Sequence, residues 1–565
     1  MTIPSTDAPD PPPADPKRVL LRAAAAAVVL WLAQPPVGWQ PLAWLSLAIW
    51  ADLAASPRRW GRTAYAAVWL AGVLYWLLAV WWVTLPHPLT KFGWPILAMY
   101  LGLYTAAPVV VARAAYRRWR APVWIALPIA WTGFELVQAR LFTGFLMGAV
   151  SHSQSEQGWL RSIAAYTGAY GVTFCVVIVG SLLAAAVRAR GAKQLVTRWA
   201  GVLAAAACVA AAGWAARSSL PLRQGSDDPP TVALIQGDSR AVWDADPAEK
   251  NRRIMDRQTA LTLEAISQAA AGVDLVVWPE SMFRPPIVTY GGAFEPGGSA
   301  EPDEIAAVAN TRVWLQSLAE RAGGAWLLMG ADRFEQGGDR PSVYNSVVLV
   351  GPDGRLTASY DKNHLVPFGE YIPLASGLPA LYYLTPISGG LSSGDGPVGM
   401  TLEHGDGETF ALCPTICYET VVPHVVRSHV AYLTRQEQRP DALVNVTNDA
   451  WFWGSSELPM HLACGQFRAV ENGLPMLVAA NGGLSAVVDA TGAVVAVTEP
   501  MTEAVIVHSV PPSTRQPTLY SRWGDWFAGG CLGLTTLAAV GVLASRRGAT
   551  RRQRPRAASE AEPTA

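Results

Sequence analysis

A carboxylate, an ammonium and a thiol occur in that order in this 565-residue chain, each within a short polar motif that breaks an apolar run. The motifs are Trp278-Pro279-Glu280-Ser281, then Asp361-Lys362-Asn363-His364-Leu365-Val366-Pro367-Phe368-Gly369-Glu370-Tyr371, then Cys413-Pro414-Thr415-Ile416-Cys417-Tyr418-Glu419. Their joint chemistry is nucleophilic. A cysteine attacks as the thiolate, a nearby lysine lowers the thiol pKa and can hold a developing oxyanion, and a glutamate can take up and return the proton. A carboxylate in a half-apolar pocket is raised toward the range of a general base. On spacing alone each residue also has a structural alternative: Glu280 as a helix cap, Lys362 as a solvated loop charge, Cys417 as a small buried hydrophobe.

Such groups need strand ends to hold them, where α/β folds place chemistry. From Thr231 onward the sequence supplies strands: TVALIQG (231–237), DLVVWPE (274–280), AWLLMGA (325–331), SVVLVG (346–351), DALVNVTND (441–449), PMLVAAN (475–481) and SAVVDATGAVVA (485–496). Amphipathic helical stretches separate them, so the layout is α/β. A helix over 246–270, with Ile254, Ala260, Leu263 and Ile266 on one face, is expected to cover the sheet. The segment RQGSDDPP (223–230) reads as the linker that opens this domain.

The rest of the chain reads as membrane. Half of all residues are apolar and only 15% are charged, and the apolar ones gather before residue 218 and near the C-terminus. A window of about 19 residues finds apolar stretches at 19–34, 38–55, 64–84, 94–116, 121–138, 165–187, 197–216 and 525–545. A cleaved signal peptide is the rival reading of the first. Basic residues alternate in the loops: Lys17, Arg18 and Arg22 precede the first stretch, and Arg58, Arg59 and Arg62 follow the second. Arg113, Arg117, Arg118 and Arg120 follow the fourth, and Arg188, Arg190, Lys193 and Arg198 the sixth. The tail 546–565 is basic again. By the positive-inside rule the expectation is a cytoplasmic tail 1–18, seven spans within 19–218, an extracytoplasmic domain over 231–510, an eighth span at 525–545 and a cytoplasmic C-terminus. Trp and Tyr at the span edges, such as Tyr75, Trp76, Trp81 and Trp82, suit an interfacial belt better than a binding site. The loop 139–164, with Thr143, Gly144, His152, Ser153 and Gln154, is polar enough to line an access path; an ordinary loop is the alternative.

Lys and Arg total 43, and Asp and Glu total 43, so the charge balance gives no reason to expect nucleic acid. Six scattered cysteines make no disulfide framework. On one strand, Cys413 and Cys417 stand about 13 Å apart, beyond the roughly 7 Å that a disulfide spans. There is no phosphate loop or metal-ligand cluster in the sequence, and no cofactor is expected.

The three motifs, their order and the strands between them resemble the carbon-nitrogen hydrolase (nitrilase) superfamily, an α-β-β-α sandwich with Glu, Lys and Cys as its catalytic residues. The chain as a whole is similar to the apolipoprotein N-acyltransferase family, through KNHLVPFGEYIP (362–373), ICYET (416–420), NVTNDAWF (445–452), FRAVENGLP (467–475) and the loop LFTGFLMGAVSHSQ (141–154). The resemblance implies Cys417 as nucleophile, Glu280 as general base and Lys362 as stabiliser of oxyanion and thiolate. It implies supporting roles for Glu370, Tyr418, Glu419 and Trp243, with the Tyr418 N–H in the oxyanion hole. Arg468 and Glu471, three apart on a helix, read as a structural pair. Asp238 after Gly237, and Gly482 after Asn481, depart from the family pattern; both bear on substrate fit more than on chemistry.

The implied reaction is ping-pong acyl transfer in the bacterial inner membrane. Cys417 would take an acyl chain from a phospholipid, typically phosphatidylethanolamine, and the α-amino group of a lipoprotein's diacylglyceryl cysteine would receive it. Leu378, Leu381, Tyr382, Tyr383 and Leu384, within 374–387, could form a lid or membrane-dipping arm, with core packing as the alternative. The rivals are a membrane-tethered amidase and an inactive scaffold. A tether needs one or two spans and not eight, and the intact Glu280, Lys362 and Cys417 argue against the scaffold.

Overall fold

The computed structural model describes residues 12–220, 229–240, 246–270, 272–294, 302–336, 341–373, 375, 377–378, 390–405, 407–514 and 516–552. Trp243 and most of 374–387 lie outside the described residues.

The segment 12–220 is largely helical. Pro16–Ala33, Pro41–Ala54, Arg62–Ala79, Thr90–Trp119, Val123–Gln138, Ala169–Val187 and Ala192–Ser218 are its long helices, and Trp526–Arg552 joins them from the far end of the chain. Arg62–Ala79, Thr90–Trp119, Ala169–Val187, Ala192–Ser218 and Trp526–Ala544 are long and apolar enough to cross a membrane, while Pro41–Ala54 and Val123–Gln138 are shorter apolar helices. Two stretches read as continuous are broken. The third helix stops at Ala79, followed by a 3-10 turn at Trp81–Thr84, and the sixth stretch begins with a separate turn, Ala164–Thr167, before Gly168 at φ +69°. Small residues let helices approach closely. A Cβ on Gly133 would lie 2.9 Å from the Leu532 Cα, so the last helix is seated in a notch on Val123–Gln138.

Residues 231–509 carry twelve strands: β1 (Thr231–Gly237), β2 (Leu275–Tyr290), β3 (Trp326–Gln336), β4 (Ser342–Val350), β5 (Leu356–Asp361), β6 (Met400–His404), β7 (Glu408–Ile416), β8 (Ala442–Asn448), β9 (Met476–Asn481), β10 (Ala486–Val488), β11 (Val494–Val497) and β12 (Glu503–Ser509). They form two six-stranded sheets, ordered β12-β1-β2-β3-β4-β5 and β11-β10-β9-β8-β7-β6. Val232, Val277, Leu328 and Val347 of one sheet share a core with Leu412, Val444, Leu477 and Val487 of the other. Helices Pro247–Gln268 and Pro302–Arg321 cover the outer face of the first sheet. Pro423–Arg435 and Glu457–Asn472 cover the second. The layers are therefore helix, sheet, sheet, helix.

The inward face of Pro247–Gln268 is Ile254, Met255, Gln258, Leu261, Thr262 and Ala265, with Ala260 exposed and Leu263 and Ile266 at its margin. This corrects the expected face by a residue. Gln258 and Thr262 point inward, and Thr262 Oγ1 accepts the Trp278 indole N–H at 2.9 Å.

Helix Glu457–Asn472 is buried on nearly every side because it packs on its sheet and also on the bundle. Its Arg468 guanidinium donates to both Glu471 carboxylate oxygens, at 2.6 and 2.8 Å, and Glu471 Oε1 accepts the Ala169 backbone N–H at 2.8 Å. The expected Arg468–Glu471 pair thus also ties the sandwich to the start of a bundle helix. Within the helical part, Arg140 Nε donates to Asp525 Oδ2 at 3.0 Å and joins the end of Val123–Gln138 to the residue before Trp526–Arg552.

Candidate active site

Glu280 sits where β2 loses its regular register against β3, between Trp278 and Phe283. Such an irregularity re-aims a side chain. Here it needs room from β3: a Cβ on Gly330 would lie 2.4 Å from the Pro279 carbonyl oxygen and 2.5 Å from the Glu280 Cα. The carboxylate is fixed at both oxygens. Asn345 Nδ2 donates to Oε1 at 2.6 Å, and the Asn448 backbone N–H at the end of β8 donates to Oε2 at 2.8 Å.

Lys362 follows the last residue of β5, its backbone N–H bound to the Asn345 carbonyl at 2.9 Å. The side chain is fully enclosed, with Nζ 2.7 Å from Glu370 Oε1 and 3.8 Å from Glu280 Oε1. Glu370 is held in turn by the Val366 N–H on Oε2 at 2.8 Å and by Asn345 Nδ2 on Oε1 at 3.3 Å. One ammonium therefore lies between two carboxylates.

Cys417 stands at the end of β7, where the strand turns into the 3-10 segment Cys417–Val421. Its φ is +50°, a left-handed conformation for a residue that carries a Cβ. Such backbone costs about 1–3 kcal/mol and persists only where its surroundings impose it. The next residues do so. Glu419 is completely buried; Oε2 accepts the Ile416 N–H at 2.8 Å and Oε1 the Asn363 and His364 N–H groups at 2.9 and 3.0 Å. The Tyr360 hydroxyl lies 2.7 and 2.8 Å from the two oxygens. This carboxylate fastens the loop carrying Lys362 to the turn carrying Cys417. Tyr418 points the other way, its hydroxyl donating to the Gly144 carbonyl and its ring stacked between Phe145 and His364. The loop 139–164 is thus a wall of the site, and its His152 is buried against the Phe467 ring.

Electrostatics follow from enclosure. Burial raises the Glu280 carboxyl above its ordinary range, against the pull of Lys362. Burial, then Glu280, push the Cys417 thiol well up, and Lys362 opposes them. Burial disfavours the Lys362 charge, but Glu370, the Cys417 thiolate and Glu280 outweigh it and hold the ammonium. A thiol, a carboxylate of raised basicity and a fixed cation therefore lie within electrostatic reach of one another. They can pass one proton between sulfur and carboxylate while the cation faces a developing oxyanion.

Asn345, Asn445, Asp449, Glu457 and His461 also belong to this neighbourhood and were not singled out from sequence. Asn345 had a signal, a polar residue breaking the apolar run of β4. His461 and Glu457 lie four apart on one helix, which places them on one face. Asp449, Glu457 and His461 are the group of metal-ligating types that converges among the described residues. Asp238 lies in a left-handed turn at φ +38°, and Asn481 clasps the next residue, Ser239, through both its N–H and its carbonyl at 2.8 Å.

Two family models match the chain: carbon-nitrogen hydrolase over residues 231–520, and the apolipoprotein N-acyltransferase N-terminal domain over residues 26–182. A curated protein of Rhodopirellula baltica named apolipoprotein N-acyltransferase is 30% identical, over 91% of this chain and 95% of its own. One of the same name from Geobacter metallireducens is 32% identical, over 94% and 96%. Among solved structures, a mutant of an amidase of the nitrilase superfamily from Nesterenkonia AN1 is similar at 20% identity and a TM-score of 0.34, covering 51% of this chain and 93% of that one.

Proposed function

This chain belongs to the apolipoprotein N-acyltransferase family, and on that premise we propose that it moves an acyl chain from phosphatidylethanolamine to lipoproteins through a thioester on Cys417. It is a membrane-bound N-acyltransferase with a phospholipid donor and a lipoprotein acceptor. The observation that carries the residue assignment is the enclosed cluster of Glu280, Lys362 and Glu370 beside the strained Cys417 turn.

In the first half-reaction Glu280 takes the Cys417 proton and sulfur attacks the ester carbonyl. Lys362 and the Tyr418 N–H stabilise the oxyanion. The carbon–oxygen bond to glycerol breaks, the proton passes from Glu280 to the departing oxygen, and a lysophospholipid leaves. In the second, the α-amino group of the diacylglyceryl cysteine attacks the thioester, Glu280 takes its proton, and the carbon–sulfur bond breaks. That proton returns to the sulfur, so the enzyme ends as it began. The residues 231–510 would lie outside the cytoplasm, on the periplasmic face of the bacterial inner membrane; the alternation of basic loops supports this.

Intact-mass measurement of the full-length protein in phosphatidylethanolamine micelles, against Cys417→Ser, tests the route. A hydroxylamine-labile acyl mass on the wild type that is absent from the variant is expected. No acylation of either protein would sink the assignment.

A further inference from the structure

Behind the Cys417 turn lies a second buried polar cluster that the mechanism above does not use. His461 Nε2 is 3.2 Å from the Cys417 carbonyl oxygen and 2.7 Å from Thr420 Oγ1. Its Nδ1 is 3.3 Å from Asp449 Oδ1 and 3.7 Å from Glu457 Oε1. Thr420 Oγ1 donates to the same Cys417 oxygen at 3.1 Å, and Asn445 Nδ2 approaches it at 3.4 Å. His461, Asp449 and Glu457 are all buried. A cavity of about 10 Å³, lined by Thr420, Asn445, Asp449 and His461, adjoins them. It has room for one water molecule at most and none for a substrate.

Acceptors face both ring nitrogens. A neutral imidazole has one N–H and can serve only one of them, so both bonds require the imidazolium, and Asp449, with Glu457 beside it, faces that charge. Asp449 is itself fixed by the Thr447 hydroxyl at 2.6 Å. The Cys417 carbonyl and the Tyr418 N–H belong to one planar trans peptide, in which they point in opposite directions. Whatever fixes that oxygen therefore fixes the aim of that N–H. A charged donor on the oxygen also polarises the peptide and strengthens the N–H as a donor.

We propose that His461, held by Asp449 and Glu457, is a positioning residue that clamps and polarises the Cys417–Tyr418 peptide and so aims the Tyr418 N–H at the acyl oxyanion. It never touches substrate. This rests on the reading of Cys417 as the acylated nucleophile, and the test separates the two.

The full-length wild type, His461→Leu and His461→Gln are compared in phosphatidylethanolamine micelles. Thioester formation is followed by intact mass against phospholipid concentration, and the Cys417 thiol is separately alkylated with iodoacetamide, a displacement that forms no oxyanion. His461→Leu should acylate roughly 100-fold more slowly at an unchanged half-saturating phospholipid concentration, while alkylation stays close to wild type. His461→Gln, which keeps a donor on the oxygen, should recover most of the rate. Wild-type acylation by His461→Leu, a His461→Gln as slow as Leu, or alkylation falling in step with acylation each overturns the proposal. So does a stoichiometric divalent metal in the purified wild type, because a metal-bound ring would not be the clamp. Absence of a thioester on the wild type would instead overturn the reading beneath it.

Discussion

Replacing Glu419 by Gln is a graded test of how the site is assembled. Its carboxylate accepts three backbone N–H groups and the Tyr360 hydroxyl, all out of water. A carboxamide has one acceptor oxygen. If that oxygen takes the Oε1 position it keeps Asn363, His364 and Tyr360, and the amide nitrogen then faces the Ile416 N–H. The reverse placement strands two N–H groups, so the first is preferred. One buried donor left unpaired costs about 1–3 kcal/mol. The stranded group adjoins Cys417, so the loss falls on the turn itself. At about 1.4 kcal/mol per tenfold, the acylation rate should drop roughly 5- to 150-fold if the whole cost appears in the transition state. The assay is the time course of the acyl-enzyme mass beside thermal unfolding in the same micelles. Glu419→Ala, which strands all three N–H groups, should be markedly less stable than Glu419→Gln. A Gln variant with wild-type acylation and wild-type unfolding would refute the view that this carboxylate holds the two loops together.

Glu370→Gln removes the nearer counter-charge of Lys362 and a charged hydrogen bond worth about 1.5–3 kcal/mol; acyl-enzyme formation should slow by at least tenfold, read by intact mass, with the protein still folded. Gly330→Ala pushes a Cβ into the Pro279 carbonyl and the Glu280 backbone, so the variant should lose acylation while Cys417 alkylation by iodoacetamide persists. Burial pulls the His461 ring toward its neutral form, but Asp449 outweighs it and the ring is pushed up to about 9. A folded value above the unfolded one means stability that is complete below about pH 6.5 and is lost as pH rises through about 9. Unfolding midpoints should fall over that window by the equivalent of up to about 3 kcal/mol, and His461→Gln should flatten the decline.

The sequence was most informative where burial is continuous. β1 and β9, and the first residues of β2, β3 and β8, lie inside their sheets and read as apolar runs. The strands that were missed include β5, β6 and β12, which lie at sheet edges; β6 alternates between buried and exposed residues, and β5 and β12 each bury only one residue fully. The run 485–496 is two strands, since Asp489 Oδ1 accepts the Thr491 and Ala493 N–H groups and closes a turn between β10 and β11. Glu280 and Cys417 were legible because polar residues break or end apolar strands there, and Lys362 and Glu370 because KNHLVPFGEYIP resembles the family's motif. His461 was not, because a histidine on a helix says nothing of the carbonyl it will meet 44 positions earlier in the chain. The direction of Tyr418 was equally hidden, since its partner Gly144 belongs to a loop between membrane helices.

The notch at Gly133 that receives Leu532 has a bearing on how the molecule is made. One side of that joint is made early in translation and the other nearly four hundred residues later, after every strand of the sandwich has been translated. The earlier helices close on one another without the last one, Val123–Gln138 packing on both Thr90–Trp119 and Ala169–Val187, so a chain truncated before Trp526 would keep that bundle and lose only the helix seated at Gly133.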